Sequence, residues 1–495
     1  MEYPILETWG PGGPPTEPLR LASETIGTTG TAGTTGTTGT AGTTGTAGTT
    51  IAESTRVLYS AESRTLQQCK NEIDTCYEEG KWDDYKKITN PYEYIFLSWN
   101  RRSSRSVAQR QPLSRSYFKM IELWKRLDLW EDLFPLVKRD GGFCSAHAAE
   151  GPGGFIEACF RAVDEYSWTY AGAKAMTLRS DAKNIPGWRK AAKFLDYYNQ
   201  IDILEGADHT GNILLLANQI FFVEQTRQEF PAGVHIYTAD GGFDFSGDYN
   251  AQEDSIFPLF LAEALLGLQV LSKGGCLIIK CFDTTEQPTL DLLWLLSRAF
   301  CEWGLVKPRT SRSGNAERYF VGKGFLGDAA DIVTLLNEYQ AIGRFTHRII
   351  PPSTSPAWRA MMEQVSVLQE QVEHLEVHVI RETLDLIKTT DPTVIKKLVR
   401  ENVTRSLAWC KDHREPVTVS WVTDMEALIV KETHDLLHIL HPEKEAMSYE
   451  HSWIHKHHTR SNVSFEGFRT NTELTNEIVF NPFQIVKHTY RHKPR

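Results

Sequence analysis

The chain has 495 residues, more than one ordinary domain holds, so two or three folded units are expected. Its 41% hydrophobic and 23% charged content is that of a globular protein, and a formal charge of -10 excludes one that coats nucleic acid without selection; such contact needs a local basic patch. Eight cysteines without a CxxC pair exclude a disulfide scaffold and a zinc ribbon and fit a reducing, cytoplasmic setting, while the lack of an eighteen-residue apolar run or a basic-then-apolar start speaks against a membrane span or secretory signal.

Residues 1–55 are expected to lack a fold. Within them, 27–50 repeat Gly-Thr-Thr/Ala with glycine at every third place. Such a tract has no large side chain to bury against its backbone entropy, and without proline it does not suit a triple helix, so it reads as a flexible linker. Residues 56–112 read as a helical extension with a turn at Asn90-Pro91-Tyr92-Glu93 and an aromatic stretch at 94–99. Residues 101–119 carry Arg101, Arg102, Arg105, Arg110, Arg115 and Lys119 with no acid. That run is either a solvated loop or a strip that contacts phosphates.

Spacing predicts a helix over 114–129, with Tyr117, Met120, Ile121, Trp124 and Leu127 on one face. Strand-like runs follow at 143–149, 175–178, 234–239, 276–282 and 318–322, separated by amphipathic stretches such as 256–271 and 290–303. The alternation implies an α/β fold with a mostly parallel sheet covered on both faces, over residues 113–330. Residues 331–495 read as mainly helical. In them Met361, Val365, Leu368, Val372, Leu375, Val379 and Leu386 keep four-three spacing, broken only at Glu382. This seam is either a bundle helix or a short coiled coil, the latter a route to self-association or a protein partner. The His-rich end (His451, His455, His457, His458) matches no familiar metal-ligand spacing and reads as solvated surface, so no metal site is assigned.

The first chemical signal is Ala149-Glu150-Gly151-Pro152-Gly153-Gly154-Phe155, between a strand and a helix. Glycines let a backbone turn sharply and approach a ligand, and in open α/β sheets such loops lie at the carboxyl ends of strands. The loop lacks the Gly-Lys-Ser/Thr of a P-loop and is not GxGxxG. Four charges frame it in sequence: Lys119 on the preceding helix, Asp240 after 234–239, Lys280 closing 275–279, and Glu317 opening 318–321. A charge at the end of a buried strand is costly unless paired, so the four are read as one cluster of two cations and two anions. A structural salt-bridge network is the competing reading.

Together, Ser114 to Lys119, Glu150 to Phe155, Ala239-Asp240-Gly241-Gly242-Phe243, Ile279-Lys280-Cys281-Phe282-Asp283 and Ser311 to Tyr319 resemble the ordered motifs of the FtsJ-type RNA 2′-O-ribose methyltransferases, most closely those acting on mRNA caps. The resemblance covers roughly residues 110 to 326. It implies a Rossmann-like class I methyltransferase, with a mostly parallel seven-stranded sheet, and S-adenosyl-L-methionine as cofactor. It places the family's catalytic tetrad on Lys119, Asp240, Lys280 and Glu317. It places the cofactor loop on Glu150, Gly151, Pro152, Gly153, Gly154 and Phe155, with Asp240 near the methyl donor. The segment containing Asp208 resembles the one that holds the adenosine half. Met176-Thr177-Leu178-Arg179 departs from the many relatives that carry a ribose-binding acid there; Asp181 is the nearest substitute. The low-complexity start and extra C-terminal region resemble the style of large DNA virus proteins.

On that resemblance, Lys280 is the expected base. Lysine titrates near 10.4, and burial beside Lys119 should lower that value. Asp240 and Glu317 would orient the two ammonium groups, and the displacement calls for no metal. The resemblance also favours an RNA track along Arg101, Arg102, Arg105, Arg110 and Arg115. Tyr92, Tyr94, Phe96 and Trp99 become candidates for stacking a cap guanine. Open alternatives are ribosomal or transfer RNA as substrate, or an inactive RNA-binding or virion structural protein.

Overall fold

The computed structural model describes residues 6–14, 19–22, 58, 60–78, 81–97, 106–182, 185–242 and 252–440. The repeat at 27–50, Trp99, Arg101, Arg102, Arg105, Phe243 and the His-rich end lie outside them.

Eight strands form one sheet: β1 (Leu6–Pro11), β2 (Phe143–Ala148), β3 (Tyr170–Met176), β4 (Ile201–Ile203), β5 (Val234–Ala239), β6 (Leu271–Cys281), β7 (Phe300–Lys307) and β8 (Arg318–Phe325). Their order is β1-β7-β8-β6-β5-β2-β3-β4. The block from β4 to β6 is parallel, whereas β8, β7 and β1 pair antiparallel. β2 and β5 are buried along their whole length, as parallel strands covered on both faces must be.

The helices around them are α1 (Ser63–Glu78), α2 (Trp82–Thr89), α3 (Ser116–Arg126), α4 (Leu129–Asp140), α5 (Gly154–Glu165), α6 (Ala192–Tyr197), α7 (Leu216–Glu229), α8 (Gln252–Val270), α9 (Gln287–Ser297) and α10 (Ala330–Ile342). The C-terminal region adds α11 (Pro356–Thr389), α12 (Pro392–Asp412), α13 (Val419–Thr423) and α14 (Met425–Leu440). α11 starts where Ser355 caps the Trp358 amide at 3.1 Å, and α12 where Asp391 caps the Thr393 amide at 2.8 Å; each has proline at its first position.

Three sequence expectations are corrected. The sheet has eight strands because Leu6–Pro11, placed in the unfolded N-terminus, covers the edge of β7. There Trp9 lies flat on Gly304, where a Cβ would come within 2.6 Å of the indole, so the edge fits this strand by the absence of a side chain. The stretch 290–303 is not one helix: α9 ends at Ser297 and β7 begins at Phe300. Its leucines, phenylalanine and tryptophan are broken only by Asp291, Ser297, Arg298 and Glu302, and in so apolar a run a buried helix and a buried strand look alike. The expected helix over 114–129 ends at Arg126, and Asp128, at φ 49°, turns the chain into α4.

The heptad seam is a bundle helix. Met361, Val365, Leu368, Val372, Leu375, Val379 and Leu386 are all buried within this chain. α11 packs on α1 and α2, where Leu66, Cys69, Ile73 and Trp82 meet Val377, Ile380 and Leu384. This corrects the seam as a route to self-association. No helix among the described residues is long and apolar enough to cross a membrane.

Candidate active site

Strand register brings the four charges together. Ala239, the last residue of β5, pairs with Ile279 of β6, so Asp240 and Lys280 leave the sheet side by side. Across the antiparallel pair Lys280 faces Tyr319, which puts Glu317, just before β8, at the same edge. α3 supplies Lys119 from the other side. Lys119 Nζ sits 2.6 Å from Glu317 Oε1 and donates to Oε2 at 2.8 Å. Lys280 Nζ donates to the Asp240 carbonyl at 2.8 Å and lies 3.3 Å from Asp240 Oδ1. All four side chains keep between 9% and 12% of their surface exposed, so the pairs are desolvated but not sealed.

The electrostatics correct one expectation. Burial acts to lower the Lys280 pKa, but Asp240, Glu317 and Glu263 together outweigh it, and Lys280 titrates above the ordinary lysine value. The expected depression by Lys119 gave too little weight to Asp240 and Glu317; Glu263, a buried carboxyl of α8, adds less. Burial pushes that carboxyl well above the usual range, against the pull of Lys280. Burial would raise Glu317 too, yet Lys119 and Lys280 hold its carboxylate well below the usual range.

The glycine turn lies beside these pairs. Ala149 closes β2 by donating to the Met176 carbonyl at 2.8 Å, and Gly153 N returns to the Glu150 carbonyl at 2.6 Å. Gly154 opens α5 against α3: a Cβ there would strike the hydroxyls of Ser114 and Ser116. Beneath the turn, the Thr238 hydroxyl bonds Glu150 Oε1, while Glu150 Oε2 is buried without a hydrogen-bond partner, 3.4 Å from His147 Nδ1.

Residues 112–325 match the model of the FtsJ-like methyltransferase family. A cap-specific mRNA (nucleoside-2′-O-)-methyltransferase 1 from Leishmania braziliensis is 32% identical over 45% of this chain and 55% of its own length. One of the same description from Trypanosoma cruzi is 29% identical over 62% of this chain and 80% of its own. A protein of African swine fever virus, described as a probable methyltransferase, is 44% identical over 18% of this chain and 21% of its own. The matched segment holds β2 to β8 and the four charges, so this part of the chain is similar to that family. The chain spans about half, or less, of the length of most curated relatives it matches.

Within the matched segment and its flanks, other expected site residues fare unequally. Asp208 is exposed after β4, its Oδ1 accepting from Thr210 Oγ1 at 2.8 Å and Asn218 Nδ2 at 2.8 Å; Asn218 and Thr210 lower its pKa. Arg110 and Arg115 are corrected as phosphate contacts. Arg110 Nε donates to Glu415 Oε2 at 3.0 Å, and Arg115 Nη1 lies 2.9 Å from Glu93 Oε2 while its other nitrogens meet the Thr310 and Tyr92 carbonyls. The cap-stacking candidates Tyr92 and Tyr94 are buried, Tyr94 edge-on to Trp421, and Phe96 packs on Phe118.

Sequence reasoning missed the residues that hold the tetrad. The Tyr319 hydroxyl donates to Asp240 Oδ1 at 2.9 Å, and Ser311 Oγ donates to Glu317 Oε1 at 2.7 Å. Glu93, outside the matched segment, binds Arg115 and Arg312 at once; burial opposes its charge, but the two guanidiniums hold its pKa down to about 2. Ser311, Arg312 and Tyr319 stood inside quoted motifs, a signal that could have found them; Glu93 had none.

Proposed function

We propose that the FtsJ-like domain transfers a methyl group from S-adenosyl-L-methionine to a ribose 2′-hydroxyl of RNA, at the first transcribed nucleotide of capped mRNA. The observation that carries this reading is the meeting of Lys119–Glu317 and Lys280–Asp240 at the strand ends beside the glycine turn. The names of the relatives favour the capped substrate.

The residues present fit the cofactor. Glu150 Oε2 is a buried carboxyl oxygen with no hydrogen bond, 3.4 Å from His147 Nδ1, and is suited to accept from an amino group. Glu150 to Phe155 would hold the methionine half, Asp208 the adenosine half, and Asp240 the region of the reacting methyl. When bound, the cofactor supplies an electrophilic methyl group on a sulfonium, with a neutral thioether as the leaving group.

The chain's own residues supply alignment and proton removal. Lys119 orients the hydroxyl by donating to it, itself held by Glu317. Lys280 accepts the proton. Because Lys280 holds its own proton tightly, only a small fraction is free base at neutral pH, and rate follows that fraction. With Arg110, Arg115 and Arg189 committed internally, phosphates would meet Lys190 and Lys193. These are exposed on the segment whose Trp188 leans on Gly153.

The test is transfer of labelled methyl from S-adenosyl-L-methionine to matched capped and uncapped transcripts, with nuclease mapping of the modified sugar. Label on the first transcribed ribose of capped RNA alone is expected. Label on uncapped ribosomal or transfer RNA would overturn the cap assignment, and label on neither would overturn the activity.

A further inference from the structure

The strand ends that carry the tetrad pair directly, Cys281 opposite Arg318, and a residue outside the matched segment braces them further. Asp283 and Thr284 follow Lys280 on the chain, and Arg318 lies between Glu317 and Tyr319. All three converge on Gln369 of α11. Gln369 Oε1 accepts from Arg318 Nη1 at 2.9 Å and from the Thr284 hydroxyl and amide at 3.2 and 3.3 Å. Gln369 Nε2 donates to Asp283 Oδ1 at 3.0 Å and to Glu373 Oε1 at 3.0 Å. Gln369 is 1% and Arg318 0% exposed. Further along α11, Val379 lies against Gly314, in the loop that leads to Glu317.

The chemistry at 369 is specific. The position must accept from a guanidinium and donate to two carboxylates at the same time, which an amide does and neither a carboxylate nor an aliphatic side chain can. Arg318 also lies 3.6 Å from Asp283 Oδ1 and donates to the Thr284 hydroxyl at 3.4 Å, so the β6 end and the β8 start share one hub centred on Gln369, although Lys280 and Glu317 themselves do not touch it.

We propose that Gln369 is a positioning residue for methyl transfer: by joining Asp283 and Thr284 to Arg318, it sets the placement of Lys280 relative to Glu317. The proposal rests on the reading of that cluster as the catalytic centre. It gives α11 a place in the reaction, beyond packing against the domain.

The full-length chain is assayed as wild type, Gln369→Leu, Gln369→Glu, and Gln369→Glu with Asp283→Asn. The double variant moves the negative charge from 283 to 369, where it can still face Arg318 and accept from the new amide. Each is measured by labelled methyl transfer to capped RNA well below its unfolding temperature, with kcat and KM separated. Gln369→Leu should lose kcat by about ten- to a hundredfold, with KM for both substrates within about threefold, because misplacement of a reacting group acts on the chemical step. Gln369→Glu alone should lose kcat, and the double variant should recover part of it, because Glu373 still faces the new carboxylate. If Gln369→Leu does not fold, the Glu and Glu/Asn pair decides. A folded single variant with wild-type kcat and only a lower unfolding temperature would overturn the proposal, as would a double variant no better than Gln369→Glu alone. A wild type that methylates nothing would instead remove the functional reading on which it stands.

Discussion

The two sides of Glu317 make different use of lysine. Its carboxylate binds Lys119, while the neighbouring Lys280 binds the Asp240 carbonyl and carboxylate and lies 5.8 Å from the Phe282 ring centroid. Its main-chain carbonyl faces inward, where the buried Lys307 donates at 3.0 Å to that oxygen, at 2.6 and 3.2 Å to the carbonyl and side-chain oxygens of Asn315, and at 3.2 Å to the Arg312 carbonyl. An ammonium has three donors. Lys307 has more acceptors than donors, so it locks the 312–317 loop and has nothing left for a ligand. Lys119 and Lys280 each meet two acceptor oxygens, fewer than their three donors. Burial is similar on the two sides; donor saturation separates a chemical lysine from a structural one.

The strongest way to break that comparison is to remove one lysine from each side. Lys280→Ala should lower kcat by roughly 10² to 10⁴, the usual worth of a positioned base, with cofactor binding by calorimetry little changed. Retention of wild-type turnover would place Lys280 with Lys307 as scaffold. Lys307→Met should act on stability, by about 2–3 kcal/mol, because it strands several buried carbonyls; chemical unfolding measures this. A stable variant that has lost its turnover would reverse the assignment.

Titration sharpens the same contrast. Lys280 holds its proton above the ordinary lysine value, so between pH 6 and 8 its free-base fraction rises about tenfold per unit, and kcat should climb with it. A flat profile would show that proton removal does not limit the rate. The linked stability has the opposite sign: a raised folded pKa stabilises the fold below the unfolded value near 10.4, and that contribution is lost as pH rises through the folded pKa. The smallest effect belongs to Tyr319→Phe. It deletes one hydrogen bond to Asp240, worth about 1 kcal/mol, and should reduce kcat about fivefold. No change in kcat would show that Asp240 is held by Lys280 alone.

Much of this site was legible because strand ends advertise themselves. An apolar run such as 275–279 that stops on Lys280, or 235–239 on Asp240, states that a charge sits where a parallel sheet opens. The heptad seam was legible as a helix for the same local reason, but not what it packs on. Arg110 and Arg115 misled because a basic run in sequence becomes a basic surface only if no acid from elsewhere answers it. Glu415, 305 residues from Arg110, and Glu93 answer it here. β1 stayed hidden because six residues hold little periodic signal, and its fit to β7 depends on Trp9 meeting Gly304.

By itself the sequence determined the alternation of strands and helices, the glycine turn and the charged residues that end the strands, because hydrophobic period and backbone permissiveness are local properties. The tertiary structure alone decided which charges satisfy one another and which stay available. It also decided that Lys280 holds its proton and that Gln369 joins two strand ends. Electrostatic and hydrogen-bond energies depend on distances through space, and no spacing along a chain specifies those.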